Sequence, residues 1–419
     1  MATRSGDLRT KIVNSVLAFV LAGGIYLGII LHPVVKQNVE GGYFDFIVIY
    51  TGASIVKQGH ARHLYDYNEQ KSLQLRVAGR DTPLPFNRTP FEALALAPLA
   101  LLPYVWAYRA WTLLNILLIG LTAYVLREYL GNVQSLLLRV VWVLSASIPL
   151  FVGLVQGQDS LLMLFLFALA FASLKNNREP RAGVMLALAL FKAQYVLPFI
   201  MIFFLKRRWK MVSAFLGVAV LLGLVSFSLI GWSGVIDWIH ILRGQTVELP
   251  SVAASADKAI LSSAMPNLRG SLYAVLANRV SPAALSVLVG LGSLVLLVWG
   301  IRRWSSNYRS GNRTFDLLFA LNLVVTLMVS YYEFIHDLVL IALPILLVFS
   351  YFETSPLPRS PRRLIFTGSA LLLCVVAVLL FNTGSRQFNL LFWPELALAL
   401  ALSSEITALR KLDAETRTA

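Results

Sequence analysis

Long apolar runs separated by short basic clusters fill this chain from end to end. A helix that crosses a bilayer takes about 20 apolar residues, with a range of about 17–25. Runs near 11–31, 104–126, 136–155, 159–174, 210–231, 282–301, 315–331, 336–352, 363–381 and 388–405 meet that requirement. The pattern predicts an all-α polytopic membrane protein with about ten full crossings. The first run follows Arg4, Arg9 and Lys11, but its length and the lack of a small-residue cleavage site make it a retained helix rather than a signal peptide.

Lys and Arg accumulate in the short cytoplasmic loops of membrane proteins. Here they cluster at Arg4 to Lys11, Arg127/Arg139, Lys175 to Arg181, Lys206 to Lys210, Arg302 to Arg313, Arg359 to Arg363 and Arg410 to Arg417. The intervening short loops, Gln156 to Asp159, Tyr331 to Asp337 and Asn382 to Gln387, carry almost no positive charge. This alternation sets the N-terminus in the cytoplasm. One segment breaks it, because residues 182–205 are apolar enough to cross and yet have basic flanks at both ends. The reading that keeps the alternation is a re-entrant hairpin, Ala182 to Leu190 and Tyr195 to Leu205, turning at Phe191 to Gln194 with Lys192 at its outward tip. Such a hairpin is tolerated at membrane depth where it is packed in protein or lines a wet cavity. Counting each half separately gives about 12 helices.

The whole chain, 1–419, then reads as a single integral membrane domain with two long extracytoplasmic loops, about 32–103 and 232–281. Within the first, Phe44 to Gln58 is expected to lie flat at the interface as an amphipathic segment. Composition agrees: 58% of residues are hydrophobic, 14% charged, and mean hydropathy is +0.71. The net charge of +15 is explained by topology and does not call for nucleic acid. The single cysteine, Cys374, lies in an apolar run, which excludes a disulfide framework and a cysteine metal site. His60 and His63 are three apart, but no third ligand accompanies them, so no metal is assigned.

This topology sends the unusual polar groups to one face. Asp45, Arg88, Gln158, Asp159, Lys192, Asn267, Arg269, His336 and Asp337 all map to the outer side. Ionisable groups at membrane depth are costly and mark functional sites or pairs. Cations here suit an anionic, phosphate-bearing substrate, and a carboxylate or histidine suits proton removal. Each has a plainer reading: Asp45 as an acid at a helix start, Gln158 and Asp159 as caps, Lys192 as a snorkelling side chain, Arg269 as solvated, His336 as a satisfied helix-end residue. Glu333 and Glu395 have no assigned role. No nucleotide-binding glycine pattern is present, so a nucleotide-sugar donor is not expected.

Asp45-Phe46 with Tyr50, Ala53, Gly59 and Leu64-Tyr65-Asp66 resembles the opening signature of glycosyltransferase family 87. Pro90-Phe91, Ala97 to Pro103, Gly157-Gln158-Asp159-Ser160, Ala182-Gly183 with Phe191-Lys192, and Arg207-Arg208-Trp209 continue it. Pro266 to Gly270 and His336-Asp337-Leu338 extend it more weakly. The resemblance implies the multi-spanning type C (GT-C) glycosyltransferase fold in a bacterial inner (plasma) membrane, with the site extracytoplasmic. It further implies a polyprenyl-phosphate-linked hexose donor, mannose first, a lipid or glycan acceptor, no cofactor, and inversion at the anomeric carbon. Asp45 matches the position of the general base, and His336 is expected to touch donor phosphate or acceptor. Lys192, Arg269 and Arg88 are the cations expected at the leaving phosphate, with Gln158, Asn267 and Asp159 around them. Where the family often carries tyrosine-proline-proline, this chain has Phe86-Asn87-Arg88-Thr89-Pro90. The competing expectation is a transporter or flippase of a lipid-linked or anionic substrate, against which stand the absence of a repeat and the one-sided polar groups.

Overall fold

The computed structural model describes residues 20–81, 83–130, 147–242, 264–304, 313–354, 361–373, 380 and 387–418. Among them the elements are helical throughout, with no strand. The expected span at 136–155 and the one at 363–381 lie partly outside the described residues, as do the basic start of the first run, the Asn382 to Gln387 loop up to residue 386, Arg139, Arg309, Arg359 and Cys374.

Five helices are long and apolar enough to cross a membrane, or six if Val20–Leu31 and Pro33–Glu40, bent by 59°, are one span. The expected ten crossings are therefore not reached on length and composition. Several expected spans are short: Ser160–Lys175 has 16 residues and Arg313–Val329 has 17. At 1.5 Å per residue these are about 24–26 Å long, below the roughly 30 Å hydrocarbon core.

Two long helices sit at the periphery. In Trp209–Leu242 and Pro282–Arg303 only 11% of the most apolar window is buried, although mean hydropathy there is 2.4 and 2.3. Leu216, Val220, Leu221 and Leu224 on one, with Val287, Leu291, Leu294 and Val295 on the other, stand exposed. Contiguous apolar surface of that kind suits lipid rather than water. Ser160–Lys175, Arg313–Val329 and Ala342–Thr354 instead form the interior, buried along most of their length.

Glu179–Leu205 has the length of one crossing, but its ends meet. The Arg208 guanidinium lies 2.7 Å from Glu179 Oε1, whereas a straight helix of that length would part them by about 40 Å. The segment rises as Glu179–Leu188, tightens to a 3-10 turn over Ala189–Lys192, and returns as Ala193–Leu205. A Cβ at Gly183 would stand 2.2 Å from the Met211 carbonyl oxygen, so only glycine lets the rising arm lie on the next helix. The hairpin carries Lys192 to the end of the bundle where Ser160–Lys175 begins.

The segment from Phe44 does not lie flat at an interface. Phe46–Lys57 is buried from Phe46 through Ile55. A helix apolar all round goes inside, and its loose alternation was too weak to expose one face. It packs on the Tyr67–Ala78, Pro90–Leu96 and Ala97–Leu101 helices, so the first long loop is a folded helical cap.

Candidate active site

Asp45 is the residue before Phe46–Lys57, but its side chain does not cap that helix. Its Oδ2 instead accepts from the Gln158 amide nitrogen. The loop carrying Gln158 is held against Asp45 by both neighbours. Phe46 N–H donates to Gln156 O at 3.0 Å. From the Tyr104–Leu126 helix, Tyr108 donates to Val155 O at 2.7 Å, Trp111 to Gly157 O at 2.9 Å and Asn115 to Gln158 O at 3.1 Å. These three lie on one helix face at i, i+3 and i+7. Gly157 has φ +65°, and a Cβ there would stand 2.8 Å from Phe46 Cβ, so the turn needs glycine on both counts.

Arg88 reaches the same loop from the cap. Its guanidinium donates to Gln158 Oε1 and to Glu92 Oε1, each at 3.1 Å, and pairs with Asp159. The approach of Arg88 is built by Tyr67–Ala78. Gln70 accepts from Phe86 N–H at 2.8 Å, and Gln74 accepts from Leu84 N–H at 3.0 Å and returns a bond to Leu84 O at 2.8 Å. Tyr65 donates to Arg88 O at 2.6 Å and stacks on Trp238. Burial and the nearby Glu92 carboxylate raise the Tyr65 phenol above its usual range, which keeps it a donor. Burial also pushes the Glu92 carboxyl up, and Arg88 opposes that push.

Asp159 precedes Ser160–Lys175 without capping it. Its Oδ1 lies 2.7 Å from Lys192 Nζ, which lies 2.5 Å from Asp337 Oδ1 and 2.7 Å from Ser160 Oγ. Ser160 donates to Asp337 at 2.8 Å, closing a ring of three. Asp337 Oδ2 is 3.4 Å from His336 Nε2 and accepts from Phe334 N–H at 3.3 Å. A continuous polar line thus runs from Asp45 through Gln158, Arg88, Asp159, Lys192 and Asp337 to His336. Apart from Asp45 and Arg88 its members are buried. A charged chain of this kind is tolerable only because each member is paired.

Asn267 and Arg269 stand apart from that line. Asn267 caps Leu268–Leu276 by accepting from Gly270 N–H at 2.9 Å, and donates to Ser330 O at 2.8 Å. Arg269 donates to Tyr331 O at 3.2 Å, and its guanidinium lies over the rings of Tyr331, Tyr332 and Tyr273 at 4.1, 4.9 and 5.4 Å. Both are tied to the loop that leads into His336. Among the described residues, Arg269 has no acidic partner. Lys192, by contrast, is already held by two carboxylates.

Sequence reasoning missed Glu92 and the bridging hydroxyl of Ser160. Glu92 stands four residues after Arg88 at the start of a helix, the spacing at which opposite charges meet. Ser160 stands in the Gly157-Gln158-Asp159-Ser160 motif, but nothing in the sequence marks its hydroxyl as a bridge. Glu333 and Glu395 are fully buried, lie close enough to act on each other, and have no hydrogen-bond partner on any carboxylate oxygen among the described residues. His60 Nδ1 lies 3.1 Å from Glu69 Oε1.

The charge network ends in the partly exposed Asp45 carboxylate. No curated protein matches the chain. The model of glycosyltransferase family 87 matches residues 86–330, which takes in Arg88, Gln158, Asp159, Lys192, Asn267 and Arg269 and leaves Asp45 and His336 outside. That match covers more than half of the sequence, and the chain belongs to glycosyltransferase family 87.

Proposed function

We propose that this membrane glycosyltransferase moves a hexose, mannose first, from a polyprenyl-phosphate carrier to a lipid or glycan acceptor, with Asp45 as general base. The observation that carries the reading is the placement of Asp45. It is the half-exposed end of a buried polar line, and its carboxylate serves no helix cap. Gln158 occupies Oδ2, which leaves Oδ1 without a partner among the described residues. That oxygen takes the acceptor hydroxyl proton as the acceptor oxygen attacks the anomeric carbon and the carrier phosphate leaves. Attack opposite the leaving group inverts the anomeric centre.

Charge grows on the departing phosphate, and fixed cations stabilise it. Of Lys192, Arg88 and Arg269, Arg269 is the one with no carboxylate partner among the described residues, so it takes the phosphate, and His336 contacts the donor phosphate or the acceptor. Lys192, held by Asp159 and Asp337, positions the loops that carry Gln158 and His336. The fold is a type C arrangement in a bacterial inner membrane with the site extracytoplasmic. This reading keeps about ten crossings, with the short helices counted as spans.

The test uses purified protein in nanodiscs with radiolabelled polyprenyl-phosphate mannose and an acceptor membrane extract. Asp45→Asn is expected to lower transfer by at least about 100-fold, the usual range for losing a general base, while donor still binds. Turnover within threefold of wild type ends the base assignment. Uptake into sealed vesicles with no labelled product points to transport instead.

A further inference from the structure

At the end of the bundle away from Asp45, three helices meet around a pocket of about 390 Å³. Glu395 lies near Glu333, in the loop that carries Asp337, and Thr407 lies beyond Glu395 on a single helix by about 18 Å at 1.5 Å per residue, which sets this pocket away from the polar line. Each helix contributes one cation: Arg303 closes Pro282–Arg303, Arg362 opens Pro361–Leu371, and Lys411 sits in the last turns of Phe392–Thr418. Ser403, Ser404 and Thr407 add hydroxyls from one face of the last helix.

Glu405 is shared between Arg362, at 3.1 Å, and the Tyr351 hydroxyl, at 3.1 Å. Arg303 donates to Thr407 Oγ1 at 3.2 Å, and Arg410 donates to the Arg303 carbonyl, which adds a fourth cation nearby. Among the described residues, the Lys411 ammonium and the Ser404 hydroxyl have no partner. Arginine forks and a point-charge lysine converging with hydroxyls match the oxygens of a phosphate. Trp299 and the half-exposed Leu400 form the apolar wall. That wall continues onto the exposed Leu291, Val295 and Val298 of Pro282–Arg303, a surface that suits acyl chains.

We propose that this pocket binds the phosphate of an anionic lipid head group, with the acyl chains lying along Pro282–Arg303. Basic pockets between membrane helices take such head groups. A choline head group would bring a like charge against Lys411 and is disfavoured. The inference is independent of the sugar-transfer reading.

The experiment is native mass spectrometry of the full chain, delipidated in mild detergent and titrated with phosphatidylglycerol, with phosphatidylcholine, and with glycerol 3-phosphate as a competitor. Wild type is expected to retain phosphatidylglycerol over phosphatidylcholine by roughly tenfold, and glycerol 3-phosphate at equal concentration does not displace it. Lys411→Glu reverses one exposed charge, and Thr407→Trp fills the pocket at constant charge. Each is expected to remove most of the preference, while Lys206→Glu, a charge reversal elsewhere, leaves it. Equal retention of the two lipids by wild type overturns the proposal. So does a preference unchanged in both pocket variants, an equal loss in Lys206→Glu, or displacement by glycerol 3-phosphate.

Discussion

Ser160–Lys175, the returning hairpin arm Ala193–Leu205 and Arg313–Val329 hold one another in two different ways along their length. Toward one end they meet through rings. Phe199 packs at 5.1 Å on Phe167 and 5.0 Å on Phe319, Phe171 at 5.1 Å on Phe319, and Phe203 at 5.2 Å on Trp304. At the other end Ser160, Lys192 and Asp337 meet through charge and hydrogen bonds. The rings stabilise by area and shape, which tolerate small shifts. The charges are tolerable only in one arrangement, so they fix where each loop sits. Apolar packing supplies the frame, and the polar end converts it into a defined geometry around Asp45.

The largest effect is expected at the polar end. Lys192→Met leaves Asp159 and Asp337 facing each other without their cation, a loss of about 3–5 kcal/mol for breaking a buried pair. Thermal unfolding should fall sharply, and transfer per folded molecule should fall with it. Phe199→Ala opens a cavity at the ring end, at a cost of about 3–5 kcal/mol. Here turnover of the molecules that remain folded should stay near wild type. If both variants lower turnover per folded molecule equally, the division between frame and site is wrong.

Gly157→Ala is the sharper probe because it removes neither a ring nor a charge. A left-handed backbone and a Cβ against Phe46 cost about 1–3 kcal/mol, and Gln158 moves off Asp45. Transfer should drop while donor affinity holds, as read from separate kcat and KM measurements. The smallest effect is expected at the hairpin base. The Glu179 and Arg208 side chains are 21% and 30% exposed, so a double-mutant cycle on Glu179→Gln and Arg208→Gln should give a coupling below about 1 kcal/mol.

The one-sided convergence of Asp45, Arg88, Gln158, Asp159, Lys192 and His336 was legible because ionisable residues are so rare in the apolar runs. The hairpin was legible from its basic flanks, and its ends do meet through Arg208. What could not be read was how the cations are satisfied. Lys192 looked available for phosphate, but pairing with Asp159 and Asp337 depends on residues distant in sequence. Helix Phe46–Lys57 misled for a related reason, since apolar residues around its full circumference read as loose alternation until the cap that buries it is known. The expected ten spans are not reached on length among the described residues because apolar character continues into helices too short to cross by that measure alone.

The Glu179 to Arg208 closure also bears on how this architecture varies. A segment that enters and leaves through one side adds an even count to the path of the chain, so the direction of every later crossing is indifferent to it. Residues can be gained or lost in matched pairs between its two arms without inverting the helices after it, which lets the depth of the Lys192 tip be adjusted as a separate variable. The hairpin is thus a piston whose stroke can change over generations while the cylinder keeps its orientation.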